Sequence, residues 1–303
     1  MIVGATGIGK TALAVALARR FDGEIVSADS RQFYRRMDIG TAKPSPEELA
    51  LVRHHLIDIA DPNESISLAQ FRALAAAAID DVHVRGRVPF LVGGTGQYVW
   101  AFLEGWDVPQ APPDEALRAR LYADAEAHGN AALHARLRAV DPDAAERIDP
   151  RNVRRVVRAL EVYTITGRPI SSLQTKNPPP YHTLILGLDL DRPALYARVD
   201  ARIDAMVAAG LEAEVRRLVA QDYGFDLPAM SALGYAEFEP LLRGAATIED
   251  VASAMKRNTR RFIRHQSAWF RKGDPRIHWL DAAGDPLPRA VELVSAFLLE
   301  TTA

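Results

Sequence analysis

The chain has 303 residues, 48% hydrophobic and 25% charged, with a formal net charge of −2. That is the composition of an ordinary globular protein, long enough for one large domain or two smaller ones, and it carries no global basic charge of the kind that announces a nucleic-acid binder. The lack of cysteine excludes a disulfide scaffold, a thiolate nucleophile and a cysteine-based zinc site; no apolar run approaches the roughly 20 residues that span a bilayer, and the eight histidines show no metal-ligand spacing and read as structural or surface groups.

Residues 4–11, "GATGIGKT", match G-x-x-x-x-G-K-[ST] and run straight into a helical stretch over 11–20. Such a loop lets backbone N–H groups converge on phosphate oxygens at a helix N-terminus. The eight residues Gly4, Ala5, Thr6, Gly7, Ile8, Gly9, Lys10 and Thr11 are therefore read as a phosphate or pyrophosphate cradle. Lys10 supplies a mobile cation and the Thr11 hydroxyl a direct Mg²⁺ ligand. Only residues 1–3 precede the cradle, so either its feeding strand is very short or a few N-terminal residues are missing. A second apolar strand over 25–27 leads to Asp29, which should emerge at the same sheet edge. Position alone leaves it three uses: general base, water-mediated Mg²⁺ ligand, or helix N-cap.

A helix over 68–85 precedes a strand over 89–92 that opens into "GGTG" with Thr95. No second acidic motif ends an apolar strand, as a nucleotide hydrolase would need for its metal. The proline-rich "VPQAPP" at 108–113 and "NPPPY" at 177–181 bracket a stretch with helical periodicity, because proline continues neither a helix nor a ladder. Another buried strand is expected within 182–190. The pattern predicts an α/β, P-loop NTPase-like core with a parallel sheet flanked by helices, plus a small all-helical insertion. The expected boundaries are 1–110 and 178–303 for the core and 111–177 for the insertion. Two basic clusters stand out: Arg147, Arg151, Arg154, Arg155 and Arg158 in the insertion, and residues 256–272, "KRNTRRFIRHQSAWFRK", which interleave Phe262, Trp269 and Phe270 with seven cations and no acid. The second mixture suits phosphate contacts with stacking, or a solvated helix face over an apolar stripe.

The cradle, "SADSRQFYRRMDIGTAKP", "HHLID", "GGTGQY", "RRVVRALEVYTITGRP", "RIDAMVAAGLEAEV", "SALGY" and "TRRFIRHQSAWFR", in this order, resemble the tRNA dimethylallyltransferases (tRNA isopentenyltransferases) over nearly the whole chain. The resemblance implies transfer of a dimethylallyl group from dimethylallyl diphosphate to N6 of adenosine 37 in the tRNA anticodon stem-loop, with Mg²⁺ and release of pyrophosphate. On that reading the cradle holds a leaving group rather than ATP. Asp29 matches the family's catalytic aspartate, Thr95 its GGT threonine and Arg202 an arginine that clamps the diphosphate; without the family, Arg202 reads as an ordinary surface residue. The tRNA-meeting positions implied are Asp29, Ser30, Arg31 and Gln32; Thr95; Arg118; Arg154, Arg155, Val156, Val157 and Arg158; Ser231, Ala232, Leu233, Gly234, Tyr235 and Ala236; and Arg260, Arg261, Phe262, Ile263, Arg264, His265, Gln266 and Ser267. A cytoplasmic, monomeric bacterial enzyme without membrane association is expected. The competing readings are an adenylate isopentenyltransferase acting on free AMP, ADP or ATP, a small-molecule P-loop kinase, and an RNA binder with an idle cradle.

Overall fold

A computed structural model of the chain describes residues 1–109 and 111–302; Gln110, inside the proline-rich "VPQAPP" stretch, and Ala303 lie outside the described residues. The chain divides into two compact units, Met1–Trp100 with Pro180–Ala303, and Ala101–Pro179.

In the first unit the order is β1 (Ile2–Val3), α1 (Lys10–Arg20), β2 (Gly23–Ser27), α2 (Pro46–Leu51), β3 (His54–His55), α3 (Leu68–Val84), β4 (Val88–Gly93) and α4 (Gly96–Leu103), whose last turn enters the second unit. The helices α2 and α3 both start on capping boxes, Ser45 with Glu48 and Ser67 with Gln70, which satisfy N–H groups that a helix start leaves orphaned. The second unit carries α5 (Glu115–His128), α6 (Asn130–Val140), α7 (Pro142–Arg147), α8 (Val153–Thr166) and α9 (Ile170–Leu173). The first unit then resumes with β5 (Ile185–Asp189), α10 (Arg192–Ala208), α11 (Leu211–Val219), α12 (Glu239–Leu242), α13 (Ile248–Gln266), β6 (Ile277–Asp281) and α14 (Leu287–Thr302).

The six strands form one parallel sheet in the order β3-β2-β4-β1-β5-β6. Every residue of β2 is buried, as in a parallel sheet covered on both faces. Register aligns the exits of the strands. Val3 pairs with Gly93, and Ser27 pairs with Val92. The ends of β1, β4 and β2 therefore lie side by side, so the loops that leave them (residues 4–9, 94–95 and 28–32) open at one carboxyl edge. On one side of β1 the chain sets β2 and β3 and then returns to insert β4 between β2 and β1, and on the other it adds β5 and then β6, which makes β1 the switch at which ligands bind in open α/β sheets. With the glycine loop between the first strand and the first helix, this is the P-loop NTPase-like core expected.

The helical unit packs Leu121, Leu133, Leu137, Val156, Val157 and Leu160 into its own core. Caps set its helices: Asp114 and Asn152 accept N–H groups at the starts of α5 and α8, and Gly167, at φ 68°, ends α8. Glu161 lies fully buried in that core. It accepts the Asp114 N–H at 2.8 Å, the Arg118 Nε–H at 2.8 Å and an Arg158 N–H at 2.6 Å. Burial pushes the Glu161 carboxyl up, but the hydrogen bonds from Arg158, Asp114 and Arg118 outweigh it and hold the group below the usual glutamate range. Arg118 and Arg158, both expected at the RNA, are thus tied inward to one carboxylate. Val156 and Val157, 1% and 2% exposed, are core residues whose side chains reach no ligand, because α8 turns that stripe inward. Arg154 and Arg155 are exposed. Glu161→Gln removes the charge but keeps the shape, and is expected to lower stability by about 1–3 kcal/mol, read by denaturant unfolding of the full chain.

Candidate active site

The cradle loop turns between β1 and α1 with three glycines in conformations that L-residues rarely adopt, Gly4, Gly7 and Gly9 at φ 143°, 76° and 108°. At Gly7 the reason is also steric, since a Cβ would lie 2.5 Å from Val199 Cγ2. Lys10 opens α1 and folds back over the loop, donating to the Gly4 and Ala5 carbonyls at 3.1 and 2.8 Å. Burial pushes its ammonium down to about 8; the Asp29 carboxylate opposes that shift and the Arg202 guanidinium adds to it. Arg202, on α10, is itself pushed down by burial against the pull of Asp29 and Glu48. Lys10, Asp29 and Arg202 are therefore close enough to feel one another. Sequence alone read Arg202 as a surface residue; here it is partly buried beside the cradle.

Asp29 is held by its own turn. Its Oδ1 accepts the Arg31 N–H at 2.9 Å, and its N–H donates to Ser27 Oγ at 3.3 Å. That turn is a loop rather than a helix, which removes the N-cap reading. The Ser30 N–H donates to Thr95 Oγ1 at 3.4 Å, joining the loops after β2 and β4. Gln32 accepts from Ser27 Oγ at 3.0 Å and donates to the Ala42 carbonyl at 3.2 Å.

Two cavities meet at these groups. One, of about 310 Å³, reaches past Thr11 to Lys43, Glu48 and His54; the other, of about 590 Å³, runs between the loops, α10 and α13. Lys10, Asp29, Thr41 and Arg202 line both. The larger has an apolar wall of Val199, Ile203, Met206, Leu233, Met255 and Phe262 facing that polar end. His54 and the exposed His265 line the cavities. His54 Nδ1 bonds to the Val52 carbonyl at 2.8 Å, and burial pushes its ring down.

The structure brings Thr6, Gly7, Lys10, Thr11, Asp29, Ser30, Arg31, Gln32, Thr95, Arg202, Ser231, Leu233, Gly234, Arg261, Phe262, His265 and Gln266 to these cavities, together with Gly9. Gly4, Ala5 and Ile8 shape the loop from behind. Ala232, Tyr235 and Ile263 are core residues, 2%, 0% and 4% exposed, so their side chains brace the site rather than touch a ligand. Ala236, Arg264 and Ser267 are exposed away from the cavities. Arg260 pairs with Asp200 and lies over the Tyr196 ring. Of the interleaved aromatics, Phe270 is core, 5% exposed, and Phe262 is 40% exposed at the cavity.

One brace left no mark in the sequence. Glu214 on α11, 1% exposed, accepts the N–H groups of Asp38, Ile39 and Gly40 at 3.1, 2.9 and 3.3 Å and the Tyr235 hydroxyl at 2.6 Å. It thereby fixes the "DIGTA" loop, whose Gly40, Thr41 and Ala42 wall the larger cavity. Lys43 completes the tie through the Tyr34 carbonyl and Asp38, each at 2.6 Å. Burial pushes the Tyr235 hydroxyl far up, reinforced by Glu214, so it is a donor at every ordinary pH. Tyr235→Phe is expected to cost about 1.5–3 kcal/mol, the range for a hydrogen bond to a charged group, in denaturant unfolding.

Mg²⁺ was expected on Thr11, and the Thr11 side chain lines the smaller cavity beside Asp29. Among the described residues no group of three or more His, Asp or Glu is placed to hold a metal. Among the described residues no helix is long and apolar enough to cross a membrane.

Comparison with known proteins agrees with this geometry. Residues 32–273 match the model of the IPP transferase family. The tRNA dimethylallyltransferase of Chloroflexus aurantiacus (strain ATCC 29366 / DSM 635 / J-10-fl) is 59% identical over 271 residues, 89% of this chain and 92% of the relative. That of Roseiflexus castenholzii is 55% identical over 294 residues, 97% and 96% of the two chains. Among solved structures, the tRNA isopentenylpyrophosphate transferase of Bacillus halodurans superposes with a TM-score of 0.74 at 41% identity, covering 99% of this chain and 96% of that one. A eukaryotic dimethylallyltransferase acting on tRNA superposes with a TM-score of 0.82 at 28% identity, covering 99% and 79%. The chain belongs to the IPP transferase family.

Proposed function

We propose that this transferase moves the dimethylallyl group of dimethylallyl diphosphate to the N6 amine of adenosine 37 in tRNA, with pyrophosphate as the leaving group. The observation that carries the reading is the meeting of Lys10, Arg202 and Asp29 at the junction of the two cavities, two cations beside a cradle and one carboxylate facing an apolar-walled space.

The diphosphate lies in the cradle, its charge met by loop N–H groups, Lys10 and Arg202. In the reaction the N6 nitrogen forms a bond to the dimethylallyl C1 as the C1–O bond breaks. The electron pair of that bond leaves with pyrophosphate, and the N6 proton passes to Asp29. The adenine amine is a poor nucleophile because its lone pair is delocalised into the ring, so a positioned base contributes to the rate. Lys10 and Arg202 stabilise charge that grows on the leaving oxygens, which is the larger electrostatic contribution in such sites. Thr11 would hold Mg²⁺ together with the substrate's own oxygens, and the ion would supply neutralising charge there. The base must leave its stack for N6 to be reached, and the larger cavity, with exposed Phe262 and Arg261 on its rim, offers a stacking face and a phosphate contact.

The test offers dimethylallyl diphosphate and Mg²⁺ with an anticodon stem-loop bearing adenosine at position 37, the same RNA with guanosine there, or AMP, and weighs each acceptor. The reading expects one prenyl unit on the adenosine RNA alone. Prenyl-AMP, or phosphate transfer from ATP, contradicts it.

A further inference from the structure

We propose that Gln266 sets the length of polyphosphate the cradle accepts, restricting it to a diphosphate; this deepens, and rests on, the reading of the cradle as a diphosphate site. The Gln266 side chain, 4% exposed, ends α13 and lies between two loops distant from it in sequence. Its Oε1 accepts the Thr6 N–H at 2.9 Å, and its Nε2 donates to the Gly94 carbonyl at 2.9 Å. Both ends of the amide are committed, and only this orientation pairs donor with acceptor at both loops.

The consequence concerns the donors left for a ligand. A cradle of this kind works by offering N–H groups to phosphate oxygens, and the Thr6 N–H is already taken by the protein. From the same side Lys10 turns onto the Gly4 and Ala5 carbonyls. The wall is tight: a Cβ on Gly94 would lie 2.6 Å from Gln266 Nε2, 3.2 Å from the Gly4 carbonyl and 3.3 Å from Lys10 Nζ. Gly4, Thr6, Lys10, Gly94 and Gln266 thus close the cradle toward the loop after β4. The ligand keeps the N–H groups nearer the start of α1, with Lys10 and Arg202. Two phosphoryl groups are served by that set; a third lacks the Thr6 donor and meets the carboxamide. The family resemblance placed Gln266 among RNA contacts, whereas its polar atoms are spent inside the protein.

Calorimetric titration of the full chain with pyrophosphate and with tripolyphosphate, each with Mg²⁺, tests this in the wild type, Gln266→Met and Gln266→Ala, with melting curves to confirm folding. One hydrogen bond to a charged group corresponds to about tenfold in affinity, so the wild type is expected to prefer pyrophosphate by about that factor. In a folded variant the preference falls to about threefold or less, chiefly because tripolyphosphate gains. An unchanged preference in a folded variant overturns the proposal. So does a wild type that binds both equally, a comparison that needs neither variant; in that case the diphosphate reading survives. A wild type that binds neither anion overturns the diphosphate reading itself.

Discussion

Asp29→Asn lowers the single-turnover rate of prenyl transfer by about 10²–10⁴-fold, the range for a positioned general base. The substitution is chosen because asparagine keeps an Oδ1 to accept the Arg31 N–H, the bond that shapes the turn at 2.9 Å. The loops after β2 and β4 then stay joined through Ser30 and Thr95, and the melting temperature should hold. What asparagine lacks is a site for the N6 proton. The loss therefore falls on the chemical step, with the diphosphate dissociation constant little changed or improved, since removing a carboxylate near Lys10 and Arg202 leaves more positive potential for an anion. A rate within about threefold of wild type would remove Asp29 from the proton transfer and leave it as a charge that trims the cations beside it.

Lys10→Met lowers the rate of transfer by about 10²–10³-fold, as loss of one preorganised group at a developing anion does elsewhere. It also changes the pH dependence, with a definite sign. Burial holds the free Lys10 near 8. Below that pH the ammonium is charged and ready; above it the ligand must recruit the proton, so affinity for pyrophosphate falls by up to about tenfold per pH unit. Anion binding raises the group's pKa, so the decline ends where the complex itself loses the proton. The methionine variant binds more weakly throughout and lacks this component, and the difference between the two titrations isolates Lys10 from the ligand's own ionisation. Identical profiles in the two proteins would place the cation elsewhere.

The parts of this site that could be read in the sequence are those whose geometry is local. The cradle is one continuous turn, and its glycines, lysine and threonine are fixed by what a strand-loop-helix phosphate site needs. Strands β1, β2, β4 and β5 were legible as short apolar runs, whereas β3 (His54–His55) and β6 (Ile277–Asp281) were not expected; the parallel order puts Asp29 and Thr95 beside the cradle through the pairing of Ser27 with Val92 and Val3 with Gly93. Arg202 lay on a helix whose facing direction no periodicity fixed, and only family resemblance singled it out. Glu214 and Glu161 were silent for a different reason, and Gln266 was singled out only by the resemblance, as an RNA contact. Each is a polar residue on a helix, where the usual place is a solvated face, and each is buried because its partners come from elsewhere in the chain. Three N–H groups of the "DIGT" loop reach Glu214, two loops reach Gln266, and two arginines with an N–H reach Glu161. The basic cluster at 147–158 illustrates the reverse. Charge count treats its arginines alike, yet Arg158 faces a buried carboxylate, Arg151 makes a surface pair with Asp149, which it helps hold at about 2, and Arg154 and Arg155 are exposed.

In the proposed reaction, loss of pyrophosphate from the cradle and loss of the N6 proton to Asp29 belong to a single event in one cavity. The most direct measurement is a single-turnover reaction with dimethylallyl diphosphate and the adenosine stem-loop, tracking prenylated RNA and free pyrophosphate in the same quenched samples. Equal amounts rising at one rate, and slowing together in Asp29→Asn, are the predicted result. Pyrophosphate released without prenylated RNA, at a rate indifferent to Asp29, would contradict it and make the cradle a hydrolytic site.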